Sequence, residues 1–179
     1  MRCFIAVDLP DNVKEYLATL PKEFSMISGK FVEKENLHLT FRFLGDIPGK
    51  NVEYITQKFQ EIKFPKIRAY LNNMGVFPSQ KFARVLWIAL EPKEKIIELK
   101  EKIDLALRDI DLLDDNKKFK SHVTLARIKS INNKGKFFGL LEKFRIKPLE
   151  FEIKSFVLKK SVLNEKGPTY SDVCKIDLT

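Results

Sequence analysis

Apolar positions along the chain follow two rhythms, one of period two and one near 3.6. Over residues 2–8 apolar positions alternate weakly, as in a strand. Pro10-Asp11 then opens a helix in which Val13, Leu17 and Leu20 form one apolar stripe. Lys30–Gly45 reads as a hairpin of two strands. A turn over Asp46–Lys50 leads into a second helix carrying Val52, Ile55, Phe59 and Ile62. Strands over 66–76 and 82–90 flank the loop Phe77-Pro78-Ser79-Gln80. The second half repeats the theme: Ile96, Leu99, Ile103, Ala106 and Ile110 predict a helix over 93–110, with Glu98 and Lys102 as a supporting pair. A strand over 119–128 and a short helix near 134–143 follow. Two final strands, 148–162 and 170–178, are divided by the turn at Asn164–Pro168. Helices interleaved with hairpins predict an antiparallel α+β fold.

Composition narrows the class. With 179 residues, 44% apolar and 32% charged, the chain fits one soluble domain, 1–179, or two small lobes sharing a core. No apolar run approaches the ~20 residues of a membrane span. The start, Met1 to Asp8, turns acidic too soon for a signal peptide and reads as a strand. Cys3 and Cys174 cannot build a disulfide framework or a zinc site alone, and they suit a reducing cytosol, so a cytoplasmic protein is expected. Thirty-three basic against 24 acidic residues give a net charge of +9, which favours anionic partners such as nucleic acid. The glycine-rich loops that hold dinucleotides or nucleoside triphosphates are absent from the sequence.

The two histidines change the picture most. They are the whole histidine content of the chain, and each begins a His-x-Thr tripeptide in a strand pattern: His38-Leu39-Thr40 and His122-Val123-Thr124. Residues two apart share one face of a strand, so each imidazole has a threonine hydroxyl beside it. In the first strand Leu37, Leu39, Phe41 and Phe43 are assigned to the buried face, and His38, Thr40 and Arg42 to the polar one. The second strand has the same parity, which sets Arg127 opposite His122 unless the strand bulges. Two imidazoles across a cleft can serve as acid and base in one displacement. Threonine hydroxyls beside them can donate to phosphate oxygens. No third His or paired Cys supports a metal, so no metal and no cofactor is expected. Phe77 and Trp87 are assigned to the core, with stacking on a base as the second reading. The run Lys117-Lys118-Phe119-Lys120 has two readings, tracking a nucleic-acid backbone or forming a solvated charged face.

At these residues the sequence resembles the two-histidine phosphoesterase superfamily, in its RNA 2′,3′-cyclic phosphodiesterase branch, also described as 2′-5′ RNA ligase. Glu35-Asn36-Leu37-His38-Leu39-Thr40, Phe43-Leu44-Gly45 and His122-Val123-Thr124-Leu125-Ala126-Arg127 carry the likeness. It extends to Arg2–Val7, Gly75-Val76-Phe77-Pro78 and Ala83–Trp87. The resemblance implies two pseudo-symmetric lobes around a central groove, and opening of a cyclic phosphate at an RNA end, such as that of a tRNA fragment, to a 2′-phosphate. It implies His38 as proton donor, His122 as proton acceptor, and Thr40, Thr124 and Arg127 as substrate-binding residues. Arg42, placed on the same face by strand parity, is a further substrate-binding candidate that steers phosphate, with a place on the rim as its other reading. A monomer is expected. The alternatives are 2′-5′ ligation at the same site and a non-catalytic module that binds RNA ends.

Overall fold

The chain pairs its strands into a single antiparallel sheet whose centre is formed by the two histidine strands. The computed structural model describes residues 1–112 and 117–179. In order along the chain these form β1 (Arg2–Asp8), α1 (Asp11–Leu17), β2 (Ile27–Phe31), β3 (His38–Asp46), α2 (Gly49–Gln60), β4 (Ile67–Phe77) and β5 (Val85–Glu91). Then come α3 (Lys93–Ala106), β6 (His122–Ile131), α4 (Lys134–Lys143), β7 (Glu150–Ile153), β8 (Ser155–Asn164) and β9 (Gly167–Asp177). The strand order is β7-β4-β5-β6-β3-β1-β8-β9, with β2 also paired to β6.

That order is a two-fold pattern. β3 and β6 lie side by side, each flanked by the first strand of its own half, β1 and β5 respectively. The outer strands are exchanged: β4 from the first half continues the sheet beyond β5, and β8 from the second half continues it beyond β1. Two lobes are therefore laced together through backbone hydrogen bonds rather than joined by a linker.

One face of the sheet is covered by the helices. Ile5, Leu39, Leu86, Ile88 and Val123 are fully buried in one core with Val13, Ile55, Phe59, Ile96, Leu99, Ile103 and Phe137 from the four helices. Burying each such side chain contributes roughly 1.5–3 kcal/mol. This apolar layer fixes which face of β3 and β6 is left for the polar residues.

Four expectations change. The strand over 148–162 is two, β7 and β8, interrupted at Lys154 and paired with β4 and β1 respectively. The hairpin over Lys30–Gly45 does not form: β2 pairs with β6, and a 3-10 turn at Lys34–Asn36 separates it from β3. The closeness of that pairing explains Gly29, since a Cβ there would lie 2.1 Å from the carbonyl oxygen of Arg127. The first helix ends at Leu17, and Leu20 joins the core from a separate 3-10 turn, Leu20–Lys22, whose Pro21 has no N–H to continue an α-helix. The helix predicted over 93–110 ends at Ala106, and Glu98 bonds Lys95 at 3.0 Å.

Candidate active site

β3 and β6 meet at one register pair, Leu39 opposite Val123. Because the strands run antiparallel, this sets His38 across from Thr124 and Thr40 across from His122 on the face turned away from the helices. The two His-Thr pairs thus interlock, each imidazole flanked by one threonine along its own strand and faced by another across the pair.

Both rings are oriented in the same way. His38 Nδ1 lies 2.6 Å from the carbonyl oxygen of Asn36, and His122 Nδ1 lies 2.7 Å from that of Lys120, in each case two residues upstream. A carbonyl can only accept, so Nδ1 carries the hydrogen in both rings. The neutral form then offers an Nε2 lone pair, and the protonated form an Nε2–H. Burial favours the neutral form of both: it pushes His38 down to about 4, and it lowers His122, with the backbone bonds opposing the shift in each case.

Bulges decide which residues accompany the histidines. In the β1–β3 pair the register passes from Ala6–Thr40 to Ile5–Arg42, so Phe41 is the extra residue. In the β5–β6 pair it passes from Trp87–Thr124 to Leu86–Ala126, so Leu125 is the extra residue. Each bulge falls three residues after a histidine and reverses the alternation beyond it. Arg127 is thereby returned to the face of His122, as the strand parity allowed for in a bulged strand. Its charge acts on Tyr170, whose hydroxyl burial pushes up and Arg127 pulls down.

The same bulge corrects two assignments in the other lobe. Arg42 does not share the face of His38: it pairs with Ile5 in register, and its Nη1 bonds the Asp104 carboxylate of α3 at 3.3 Å. Its pseudo-symmetric counterpart is the buried Ala126. Phe43, assigned to the core, is 60% exposed and takes the position equivalent to Arg127. Its ring lies 5.9 Å from that of Phe4, which in turn lies 5.1 Å from His38.

Each histidine has its own wall. Around His38 stand Phe4 and Tyr170, the latter edge-on at 5.5 Å. Around His122 stand Phe77, edge-on at 5.0 Å, and Trp87 at 6.3 Å, with Phe77 and Trp87 stacked on each other at 4.9 Å. Phe77 and Trp87 are half-buried and lie outside the helix-side core, so the core assignment made for them is also corrected. Gly75 makes room for this stack, because a Cβ there would lie 2.3 Å from the indole. Lys120 Nζ sits 5.2 Å from the Phe77 ring centre and 5.8 Å from that of Trp87. Of the neighbouring basic run, Phe119 turns inward against Phe41.

Three residues beside His38 were not anticipated from sequence: Asp8, Lys159 and Tyr170. Asp8 is the register partner of His38 across β1 and β3. Lys159, buried on β8, binds Asp8 at 3.0 Å and Asp172 at 2.6 Å. The sequence signal for Lys159 is its place at the end of the apolar run Phe156-Val157-Leu158, where a lysine is buried only if paired. Among the described residues no group of three or more His, Cys, Asp or Glu side chains is gathered as a metal site. No helix there is long and apolar enough to cross a membrane.

Two interlocked His-x-Thr pairs on one curved antiparallel sheet of two lobes define a two-histidine phosphoesterase. The chain belongs to the family described as LigT like phosphoesterase, which matches residues 5–87 and again residues 88–170. Each match contains one His-x-Thr, in agreement with the two-fold strand order. Among relatives, the RNA 2′,3′-cyclic phosphodiesterase of Methanocaldococcus jannaschii is 34% identical, over 95% of this chain and 96% of that protein. The RNA 2′,3′-cyclic phosphodiesterase of Aquifex aeolicus is 35% identical, over 97% of this chain and 95% of that protein. The crystal structure of a Thermus thermophilus protein superposes with a TM-score of 0.83 at 27% identity, covering 99% of this chain and 97% of the other.

Proposed function

We propose that this protein opens 2′,3′-cyclic phosphates at RNA ends, by acid–base catalysis from its two histidines and without a metal, leaving a 2′-phosphate. The observation that carries the reading is the common orientation of the rings: both Nδ1 atoms are held by backbone carbonyls, so two Nε2 atoms remain for proton transfer. The names of the relatives at 34% and 35% identity support the substrate.

In the proposed step a water attacks phosphorus in line with the 3′ oxygen. His122 Nε2 takes the water proton as the new P–O bond forms. The P–O3′ bond breaks, and protonated His38 gives its Nε2 proton to the departing 3′ oxygen. One proton is taken and one given, so the pair ends in the reverse protonation state and resets through solvent. Thr40 and Thr124 donate to the non-bridging oxygens, whose charge grows in the transition state, and Arg127 adds a cation on the same face. Arg42 is withdrawn from the substrate and holds β3 to α3 through Asp104. With a 5′ hydroxyl in place of water, the same forward steps join two ends through a 2′-5′ bond.

An oligonucleotide ending in a 2′,3′-cyclic phosphate, incubated with excess chelator, tests the assignment. Turnover at the same rate with and without chelator is expected, and loss of turnover on chelation would overturn the metal-free mechanism.

The exposed Phe43 ring supplies a platform for a base beside the reacting phosphate. Stacking of one base on an aromatic is worth ~1–3 kcal/mol. Phe43→Ala should therefore raise KM for the oligonucleotide by about 5- to 150-fold while kcat stays within about threefold. Steady-state kinetics on cyclic-ended oligonucleotides checks this, and an unchanged KM removes Phe43 from the substrate site.

A further inference from the structure

The two histidines are equivalent by pseudo-symmetry, yet their surroundings differ in charge. His122 is paired in register with Ala89, and the charge that acts on it is that of Lys120. His38 is paired in register with Asp8, which is itself held by Lys159 and, through it, by Asp172. Among the described residues a carboxylate, Asp8, acts on His38 against the ammoniums of Lys159 and Lys14, whereas an ammonium without a carboxylate, Lys120, acts on His122. We propose that Asp8 is a positioning residue that distinguishes the two histidines: fixed by Lys159 beside His38, its carboxylate favours the imidazolium there and so biases His38 towards the role of proton donor. This rests on the acid–base reading given above and adds to it the reason for the direction of proton flow.

The charged and titratable groups around His38 come from every element packed on it. Asp8 of β1 favours the charged ring, while Lys159 of β8 and Lys14 of α1 oppose it. Tyr170 of β9 meets it edge-on, and His122 stands on the neighbouring strand β6. Burial is the largest influence and acts against protonation, which Asp8 partly offsets. The anionic phosphate of bound substrate adds a charge of the same sign as Asp8. Lys159 has a second effect: by bonding Asp8 it holds the carboxylate in place and moderates its charge. Removing either partner therefore moves His38 in opposite directions.

Tag-free protein contains only two imidazoles, so long-range ¹H–¹⁵N NMR can follow both titrations separately, in the free protein and with inorganic phosphate bound. In Asp8→Asn the midpoint of His38 should fall by about one pH unit, a tenfold loss of the protonated form, with His122 unmoved. In Lys159→Met, where an apolar side chain of similar shape replaces the buried ammonium and leaves two partly exposed carboxylates, the midpoint should rise. The same variants should shift the alkaline limb of kcat against pH in these two directions. Shifts of the same sign in both variants, equal shifts at both histidines, or none at His38 would overturn the role of Asp8. The titration needs no turnover, so the expected shifts in a protein that fails to open cyclic phosphates would contradict the catalytic reading and not the electrostatic one.

Discussion

His122→Ala is expected to lower kcat on a cyclic-ended oligonucleotide by about a hundred- to ten-thousandfold, the range that a positioned general base contributes. The side chain sits on the polar face of β6, outside the helix-side core, and its fixed partner is a single backbone carbonyl. Its loss leaves Val123, Leu125 and Ala126 buried as before, so the melting temperature should change little. His38→Ala should have a similar effect on kcat, and the double variant should be scarcely worse than either single one, because acid and base act as one unit. Single-turnover rates with enzyme in excess measure this directly. A His122→Ala protein retaining a tenth or more of wild-type turnover would be incompatible with the acid–base pair.

The second large effect is on pH. In the proposed acid–base mechanism the productive free enzyme has one histidine protonated and the other neutral. Burial sets His38 at about 4 and holds His122 below its ordinary value near 6.5. Raising the pH above the higher of the two values removes the single required proton. The productive fraction then falls about tenfold per pH unit. kcat/KM should therefore peak on the acid side of pH 6.5 and decline through neutrality, while a cyclic phosphodiester keeps its charge over that range. kcat should decline at higher pH than kcat/KM, because the bound anion favours protonated His38. Parallel profiles of the two constants between pH 4 and 9 check both statements. A kcat/KM that is flat from pH 6 to 8 would contradict them.

Much of this was legible in the amino-acid order because period and motif agreed. The helix over 134–143 and the strand over 2–8 match their observed bounds, Lys134–Lys143 and Arg2–Asp8, and Leu39 and Val123 are buried as their parity required. What stayed hidden was non-local. The pairing of β2 with β6, rather than with the strand that follows it, depends on contacts across about a hundred residues of chain. The bulges at Phe41 and Leu125 have no glycine to mark them, and each reverses parity over the residues that follow it, Arg42 and Phe43 in one strand and Ala126 and Arg127 in the other. Strict alternation therefore put Arg42 on the catalytic face and Phe43 in the core, where the structure has the reverse. Asp8, Lys159 and Asp172 lie on three strands, so their charges meet only once β1, β8 and β9 are side by side.

The net charge of +9 and the pair of histidines both point to a phosphate, and the proposed mechanism is defined by which bond to it breaks. ³¹P NMR of the product formed from adenosine 2′,3′-cyclic phosphate decides this, because the 2′- and 3′-monophosphates give separate signals. Departure of the 3′ oxygen predicts the 2′-monophosphate alone. Accumulation of the 3′-monophosphate, or an unchanged cyclic phosphate beside intact protein, would contradict the account.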